Sequence, residues 1–163
     1  MKITHKKGKG DKIHISVDGE YAFTVDEVFF ARLCLDEKRE YSAEELREFT
    51  EKAGERRAYN YAVSLLSRRD HSVKEITDKL TQKGYGQYAS YVAEKLAEQG
   101  YLSDERFAET YVRELLNLKN YGKKRIRQEL IRKGISRDII ENVISEAEFP
   151  DGRLRELIER KYM

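Results

Sequence analysis

Between Lys119 and Arg137 the chain sets eight basic residues, Lys119, Lys123, Lys124, Arg125, Arg127, Arg132, Lys133 and Arg137, against one acid, Glu129. A run of one sign on a solvated helix attracts phosphate or a carboxylate-rich protein surface. With Ile126 and Leu130 turned inward, Lys124, Arg125, Arg127 and Arg132 occupy the opposite arc around Gln128. The stretch fifty residues earlier, 69–87, holds four basic and three acidic residues, the mixed pattern of a merely soluble helix face. Tyrosine supplies a second chemistry: Tyr85, Tyr88, Tyr91, Tyr101, Tyr111 and Tyr121 fall within 37 residues. Tyr101 is assigned to a helix-end contact and Tyr111 to a core stripe. Tyr88, Tyr91 and Tyr121 are then the exposed rings and the candidate interface anchors.

Other reactive residues are few. The sequence contains no glycine-rich phosphate loop, HExxH, GxSxG or cysteine cluster. His5 is expected in a frayed terminus, His14 on the solvent face of a strand and His71 at the surface just before a helix cap. The lone Cys34, within "FFARLCL", reads as a small buried core thiol. Carboxylates recur four residues from Lys or Arg, as on solvated helices. These features imply no catalytic residues, no metal site and no cofactor, and therefore a protein that is not an enzyme.

The elements that must position these residues are mostly helices. The 163 residues are 39% apolar and 38% charged, with 32 basic and 30 acidic side chains for a formal charge of +2. So little apolar material cannot fill one thick core, whereas an elongated array of thin helical modules buries only a stripe from each. No apolar run approaches the roughly 18 residues of a membrane span, and "MKITHKKGKGDK" leads into no signal-peptide core. A soluble, cytoplasmic, monomeric protein without membrane contact follows as the expectation.

The same phrase closes three helices: "LTQKGY" (80–85), "LAEQGY" (96–101) and "LIRKGI" (130–135). In each, glycine is placed to take the left-handed C′ position, with the next residue packing back on the leucine. Ser42 with Glu45 and Ser72 with Glu75 form capping boxes, and Ser103 caps a third start. An offset of fifty aligns Lys74, Ile76, Leu80, Lys83 and Gly84 with Lys124, Ile126, Leu130, Lys133 and Gly134, the signature of tandem three-helix modules. Before them, "KIHISVDGEYAFTV" (12–25) reads as a hairpin around Asp18-Gly19. A three-residue loop with a bulge at Gly19, pairing Ile15 with Tyr21 and Ile13 with Phe23, gives it one apolar face. Gly54 is a point of punctuation. The fold class is mainly α: tandem three-helix modules in an elongated crescent, preceded by a small N-terminal β-hairpin plus helix. The expected divisions are 1–54 for that extension, 55–106 and 107–149 for the modules, and 150–163 for the first helix of an incomplete third.

At "GYLSDERFAETYVR" (100–113) and "KKRIRQELIRKGI" (123–135) the sequence resembles the RecX family of bacterial recombinase regulators. The matching residues are Gly100, Tyr101, Leu102, Asp104, Arg106, Phe107, Ala108, Tyr111, Val112 and Arg113, then Arg125, Ile126, Glu129, Leu130, Lys133, Gly134 and Ile135. The resemblance runs from about Ala58 to Phe149, and the hairpin looks like the N-terminal extension of longer members. It implies a cytoplasmic all-helical crescent that lodges in the groove of the RecA recombinase filament, contacting protein and the bound DNA. Recombination and SOS coprotease activity would thereby be restrained. Arg106 and Arg113, within the motif, join the interface candidates. Members commonly complete a third module, where this chain has one further helix. The alternative is a stand-alone binder of single- or double-stranded DNA that uses the 119–137 stripe in the manner of a helix-turn-helix. The near-neutral total charge favours the filament regulator, because free duplex binders usually carry a larger basic excess.

Overall fold

The computed structural model describes residues 1–149; the helix expected over 150–163 lies outside the described residues. Strands β1 (Ile3–Lys7), β2 (Lys12–Val17) and β3 (Glu20–Asp26) form an antiparallel sheet in that order. The strand β1 occupies what the sequence presents as a frayed terminus. Only Ile3 of it is buried, and its lysines suit an edge that must not pair with other chains. His5 is therefore held rather than loose, its backbone N–H bonded to Glu37 at 3.1 Å and its ring 4.8 Å from that of Phe30.

The hairpin differs from its expected register. Asp18 and Gly19 both have positive φ (50° and 84°), and Val17 pairs directly with Glu20. This is the two-residue turn whose twist matches the strands. Because Ser16 opposes Tyr21 and Ile15 opposes Phe23, the extra residue is Ala22, not Gly19. The bulge thus sits inside β3. It still places Ile13, Ile15, Phe23 and Val25 on one buried face.

Helix α1 (Glu27–Leu33) starts at Asp26, whose carboxylate accepts the Phe29 N–H at 2.9 Å. It ends at Cys34, in a left-handed conformation (φ 50°) and exposed. The buried thiol expected there is incorrect: α1 stops one residue earlier, so position 34 no longer belongs to the stripe that carries Phe29, Phe30 and Leu33 to the sheet.

Helix α2 (Ala43–Arg68) is one 26-residue element that opens on the Ser42–Glu45 capping box. It runs without a break through Gly54, so the division at 54/55 falls inside a helix. At about 100° per residue, Leu46 and Ala53 share one face while Ala58, Ala62 and Leu65 share another, roughly a third of a turn away. The first face packs on the sheet with Tyr41; the second packs on α3 (Val73–Lys83) and α4 (Ala89–Glu98). Gly54 lies buried at the changeover because the Tyr88 side chain occupies the space a Cβ would need. A third core is enclosed by α5 (Asp104–Lys119), α6 (Lys123–Arg132) and α7 (Arg137–Glu146), centred on Phe107, Val112, Leu115, Ile126, Leu130 and Ile144.

The repeated phrase closes α3, α4 and α6 in one way. Gly84, Gly100 and Gly134 have φ of 96°, 81° and 77°. The N–H of Tyr85, Tyr101 and Ile135 donates to the carbonyl of Leu80, Leu96 and Leu130 at 2.8, 3.0 and 3.1 Å, the doubly bonded left-handed helix end. One detail departs from expectation: Tyr101 is 59% exposed, and Leu102 takes its place in the core.

The two modules meet through polar groups. The Val73 N–H at the start of α3 donates to Asp104 Oδ1 at 2.8 Å, and Lys74 Nζ donates to the Arg132 carbonyl at 3.3 Å. Lys133 Nζ lies 3.4 Å from Glu75 Oε2, which also takes Arg69 at 3.0 Å. Burial alone would raise the Glu75 pKa, but the bonds from Arg69 and the Ser72 N–H, with the Lys133 charge, hold it below the ordinary range. For Asp104 burial wins over its one backbone bond, and its pKa is raised. His71, expected at the surface, is buried here, with Nδ1 3.0 Å from the Arg69 carbonyl. That acceptor selects the neutral tautomer carrying its proton on Nδ1.

Two outcomes follow from this packing. Gly54→Ala gains about 1 kcal/mol of helix propensity but must displace Tyr88, an overpacking cost of about 1–3 kcal/mol. Thermal denaturation should show a lower Tm for Gly54→Ala and a higher one when the same change is made in a Tyr88→Ala background. Burial is the main cause that lowers the His71 pKa, so the unfolded chain binds that proton more readily than the folded one. Stability from this group is full above the ordinary histidine value of about 6.5 and is lost as pH falls through the lower folded value. Urea titrations at pH 7 and pH 5 should therefore show a drop that is smaller in His71→Gln; an equal drop in both would refute this account.

Candidate functional site

Helix α6 starts against electrostatic preference. The partial positive charge of a helix N-terminus favours acids, and α1, α2, α3, α5 and α7 each carry one in the first turn. The first turn of α6 has none: it begins Lys123-Lys124-Arg125 after Gly122, which provides no side-chain cap. Ile126 and Leu130 are fully buried, which turns Lys124, Gln128 and Arg132 to solvent.

The eight basic residues divide by partner. Arg127 is half-buried and makes a two-pronged bond to Glu141 on α7, at 3.0 and 3.2 Å, instead of facing outward as its spacing suggests. That hydrogen-bonded pairing raises the arginine pKa and lowers that of Glu141. Lys133 belongs to the module junction with Glu75 and lies 5.6 Å from the Tyr111 ring. Arg125 and Arg132 share Glu129, at 3.5 and 3.6 Å. Among the described residues, Lys119, Lys123, Lys124 and Arg137 have no carboxylate within 4.0 Å. Lys119 and Arg125 lie 5.8 and 4.7 Å from the centre of Tyr121, and Lys123 lies 5.2 Å from Phe149.

The tyrosines divide too. Tyr91 is 50% exposed, as expected. Tyr88 is half-buried over Gly54 and packs on the core of the first module, and Tyr121 is half-buried against that of the second module, so neither is a free anchor. Arg106 has a structural occupation: it donates to the carbonyls of Gly100 and Tyr101 at 3.2 and 3.1 Å and approaches Asp70 at 3.6 Å. Arg113 is exposed, with Nε 3.4 Å from the Glu109 carbonyl.

Sequence reasoning passed over two apolar side chains on this module, Ile131 (64% exposed) and Leu118 (79% exposed). Their signal was present in the spacing, since neither falls on the inward stripe of its helix. Ile131 stands beside Lys124 and Gln128 on the outer arc. The surface is thus cationic with apolar points, and it can seat phosphates or carboxylates while covering a small apolar contact. Among the described residues no group of three or more His, Cys, Asp or Glu side chains is placed to hold a metal ion. No described helix is long and apolar enough to cross a membrane.

Tandem three-helix modules with a charged outer face and separate small cores define a helical-repeat protein. The family model for the first three-helix domain of RecX matches residues 58–89, and that for the second matches 103–144. The chain belongs to the RecX family. The regulatory protein RecX of Caldanaerobacter subterraneus subsp. tengcongensis is 36% identical over 84 residues, 52% of this chain and 43% of the relative. That of Lactobacillus gasseri is 35% identical over 89 residues, 55% of this chain and 32% of the relative. The match therefore spans less than half the length of these relatives. A crystal structure of regulatory protein RecX superposes with a TM-score of 0.71 at 26% identity, covering 89% of this chain and 73% of that one. RecX from Lactobacillus salivarius gives 0.53 at 33% identity, over 56% and 60%.

The reversed polarity of the first turn of α6 has a measurable consequence. Replacing Lys123 and Lys124 together by Glu should stabilise the fold, by about 0.3–1 kcal/mol for each favourable helix-end charge. Urea denaturation at low salt should show the gain, and 1 M salt should remove it. A loss of stability would mean that the lysines serve folding rather than a partner.

Proposed function

We propose that this chain is a non-enzymatic, monomeric, cytoplasmic regulator that binds the RecA recombinase filament and restrains recombination and SOS coprotease activity. The outer face of α6 is directed to the filament groove. The observation that carries this reading is the cationic first turn of α6 together with Lys119 and Arg137, without carboxylate partners among the described residues, inside a module that matches the RecX second domain. Cations placed where a helix end disfavours them are explained by an anionic partner and not by the fold. The supporting roles differ by residue: Lys119, Lys123, Lys124 and Arg137 make the contact, Arg125 and Arg132 reinforce it, and Arg127 and Lys133 hold the module.

The test is inhibition of RecA-driven strand exchange by a variant with Lys119, Lys123, Lys124 and Arg137 all replaced by Ala. Inhibition should weaken and become less sensitive to salt. Each phosphate of a single strand that the variant no longer neutralises should lower the slope of log K against log salt by about 0.7. Folding should persist, because surface substitutions usually change stability by less than about 0.5 kcal/mol. Inhibition equal to that of the parent at every salt would refute the assignment of this face. Binding to bare DNA as tight as to RecA-coated DNA would favour the stand-alone DNA binder instead.

A further inference from the structure

A second cationic surface lies away from α6, where α1, α2 and α4 meet. Phe29 and Arg32 are three residues apart on α1, Lys52, Arg56 and Tyr59 follow helical spacing on α2, and Tyr91 and Lys95 are four apart on α4, so each helix presents its set on one side. Together they line a shallow depression with a single carboxylate, Glu55. Arg56 is committed to Asp26 at 3.2 Å. Among the described residues, Arg32, Lys52 and Lys95 have no carboxylate within 4.0 Å. Lys95 lies instead between two rings, its Nζ 5.1 Å from the centre of Tyr59 and 5.9 Å from that of Tyr91. The Tyr59 hydroxyl donates to Gln99 Oε1 at 2.7 Å, which fixes one wall, whereas the Tyr91 ring is half open to solvent.

We propose that Arg32, Lys52, Tyr91 and Lys95 form a binding site for single-stranded nucleic acid, with Tyr91 stacking on a base and the three cations on the flanking phosphates. Rings interleaved with unpaired cations make the stacking platform and electrostatic track that such strands use without regard to sequence. An acidic protein segment would use the cations but leave the exposed ring without a role. Tyr59 already covers one side of Lys95, and the ammonium lies over one face of Tyr91, so the opposite face of that half-exposed ring is the one offered to a base. The site draws on the N-terminal extension through Arg32 and on the first module through Lys95, and it stands or falls independently of the α6 surface.

The absence of tryptophan from the sequence supplies the probe. In the full chain, Tyr91→Trp introduces a single indole, and its fluorescence should be quenched on titration with a short oligothymidylate. An abasic oligomer of equal length should bind more weakly with little quenching. Tyr91→Ala should weaken oligothymidylate binding about tenfold, within the range of one missing base stack. Replacing Arg32, Lys52 and Lys95 by Ala should lower the salt slope by about 2, at roughly 0.7 per phosphate. The same titrations in the α6 quadruple variant separate the two surfaces, since the quenching at position 91 should remain. No quenching, or equal binding of the abasic and thymidylate strands, would overturn the proposal. Quenching by polyglutamate as strong as by oligothymidylate would overturn it in favour of an acidic protein ligand.

Discussion

The changeover of face at the middle of α2 is the constraint on which the rest of the chain depends. One helix serves two cores that lie in different directions from its axis, and it does so with small side chains. Ala53, Gly54, Ala58 and Ala62 are all buried, and none carries enough volume to hold a neighbour off. The sheet can therefore close on the first half, and α3, α4 and the Tyr88 ring on the second. A larger residue at any of these positions would have to push one neighbour away from an axis that the other has already fixed. The extension is thus welded to the first module through continuous helix, and the orientation of Arg32 relative to Lys95 follows from that weld.

A different physics joins the first module to the second. Leu102 packs in the core of the first module and Phe107, five residues on, in that of the second module. Between them the contacts include a backbone N–H on Asp104, the Arg69–Glu75–Lys133 chain, the Lys74 ammonium on the Arg132 carbonyl and the close seat of Gly134 against Lys74. A Cβ at position 134 would lie 2.6 Å from that of Lys74, so this glycine serves both the helix end and the approach of the modules. Exposed ion pairs contribute at most about 1 kcal/mol each, so the angle between the modules is governed by the half-buried members, Asp104 and Glu75. The paired capping boxes gain a second meaning here: the N-terminus of α3 is both a helix start and the socket for α5.

Where local chemistry decided the structure, the sequence was readable. The two capping boxes, the Ser103 cap and the three glycine-closed helix ends each follow from residues within six positions of one another, and all are observed. The misreadings share a cause in distant partners. Gly54 looked like a break because its reason for being glycine, Tyr88, lies thirty-four positions on, and because α2 changes face there. His71 looked solvated because a polar residue just before a helix cap carries no mark of burial in its own type or spacing, although it is buried with its ring against the Arg69 carbonyl. Tyr88 and Tyr101 exchanged roles because their packing partners are distant in sequence. The β1 strand was hidden since an edge strand of lysines carries only Ile3 as an apolar mark. For the α6 surface, charge and spacing mark the stripe, but only the fold separates Arg127 and Lys133, bound to Glu141 and Glu75, from the cations without a carboxylate partner among the described residues.

That separation explains how a chain with a formal charge of +2 can offer strong local attraction to an anion. Cations that hold the fold together rest on carboxylates or carbonyls: Arg56 on Asp26, Arg69 on Glu75, Arg127 on Glu141 and Arg106 on two backbone oxygens. Several cations on the two outward surfaces rest on aromatic rings instead: Lys95 on Tyr59 and Tyr91, Lys119 on Tyr121, and Lys123 on Phe149. A carboxylate both positions a cation and cancels its field at a distance. The face of a ring attracts it through a quadrupole, which falls off quickly and carries no net charge. A lysine held by a ring is therefore restrained near its working position while its whole charge remains available to a phosphate. Arg125, which has both Tyr121 and Glu129, is intermediate. The same logic accounts for aromatic residues that lie off the inward stripes of a chain otherwise short of apolar material: part of their packing area supports charge rather than core.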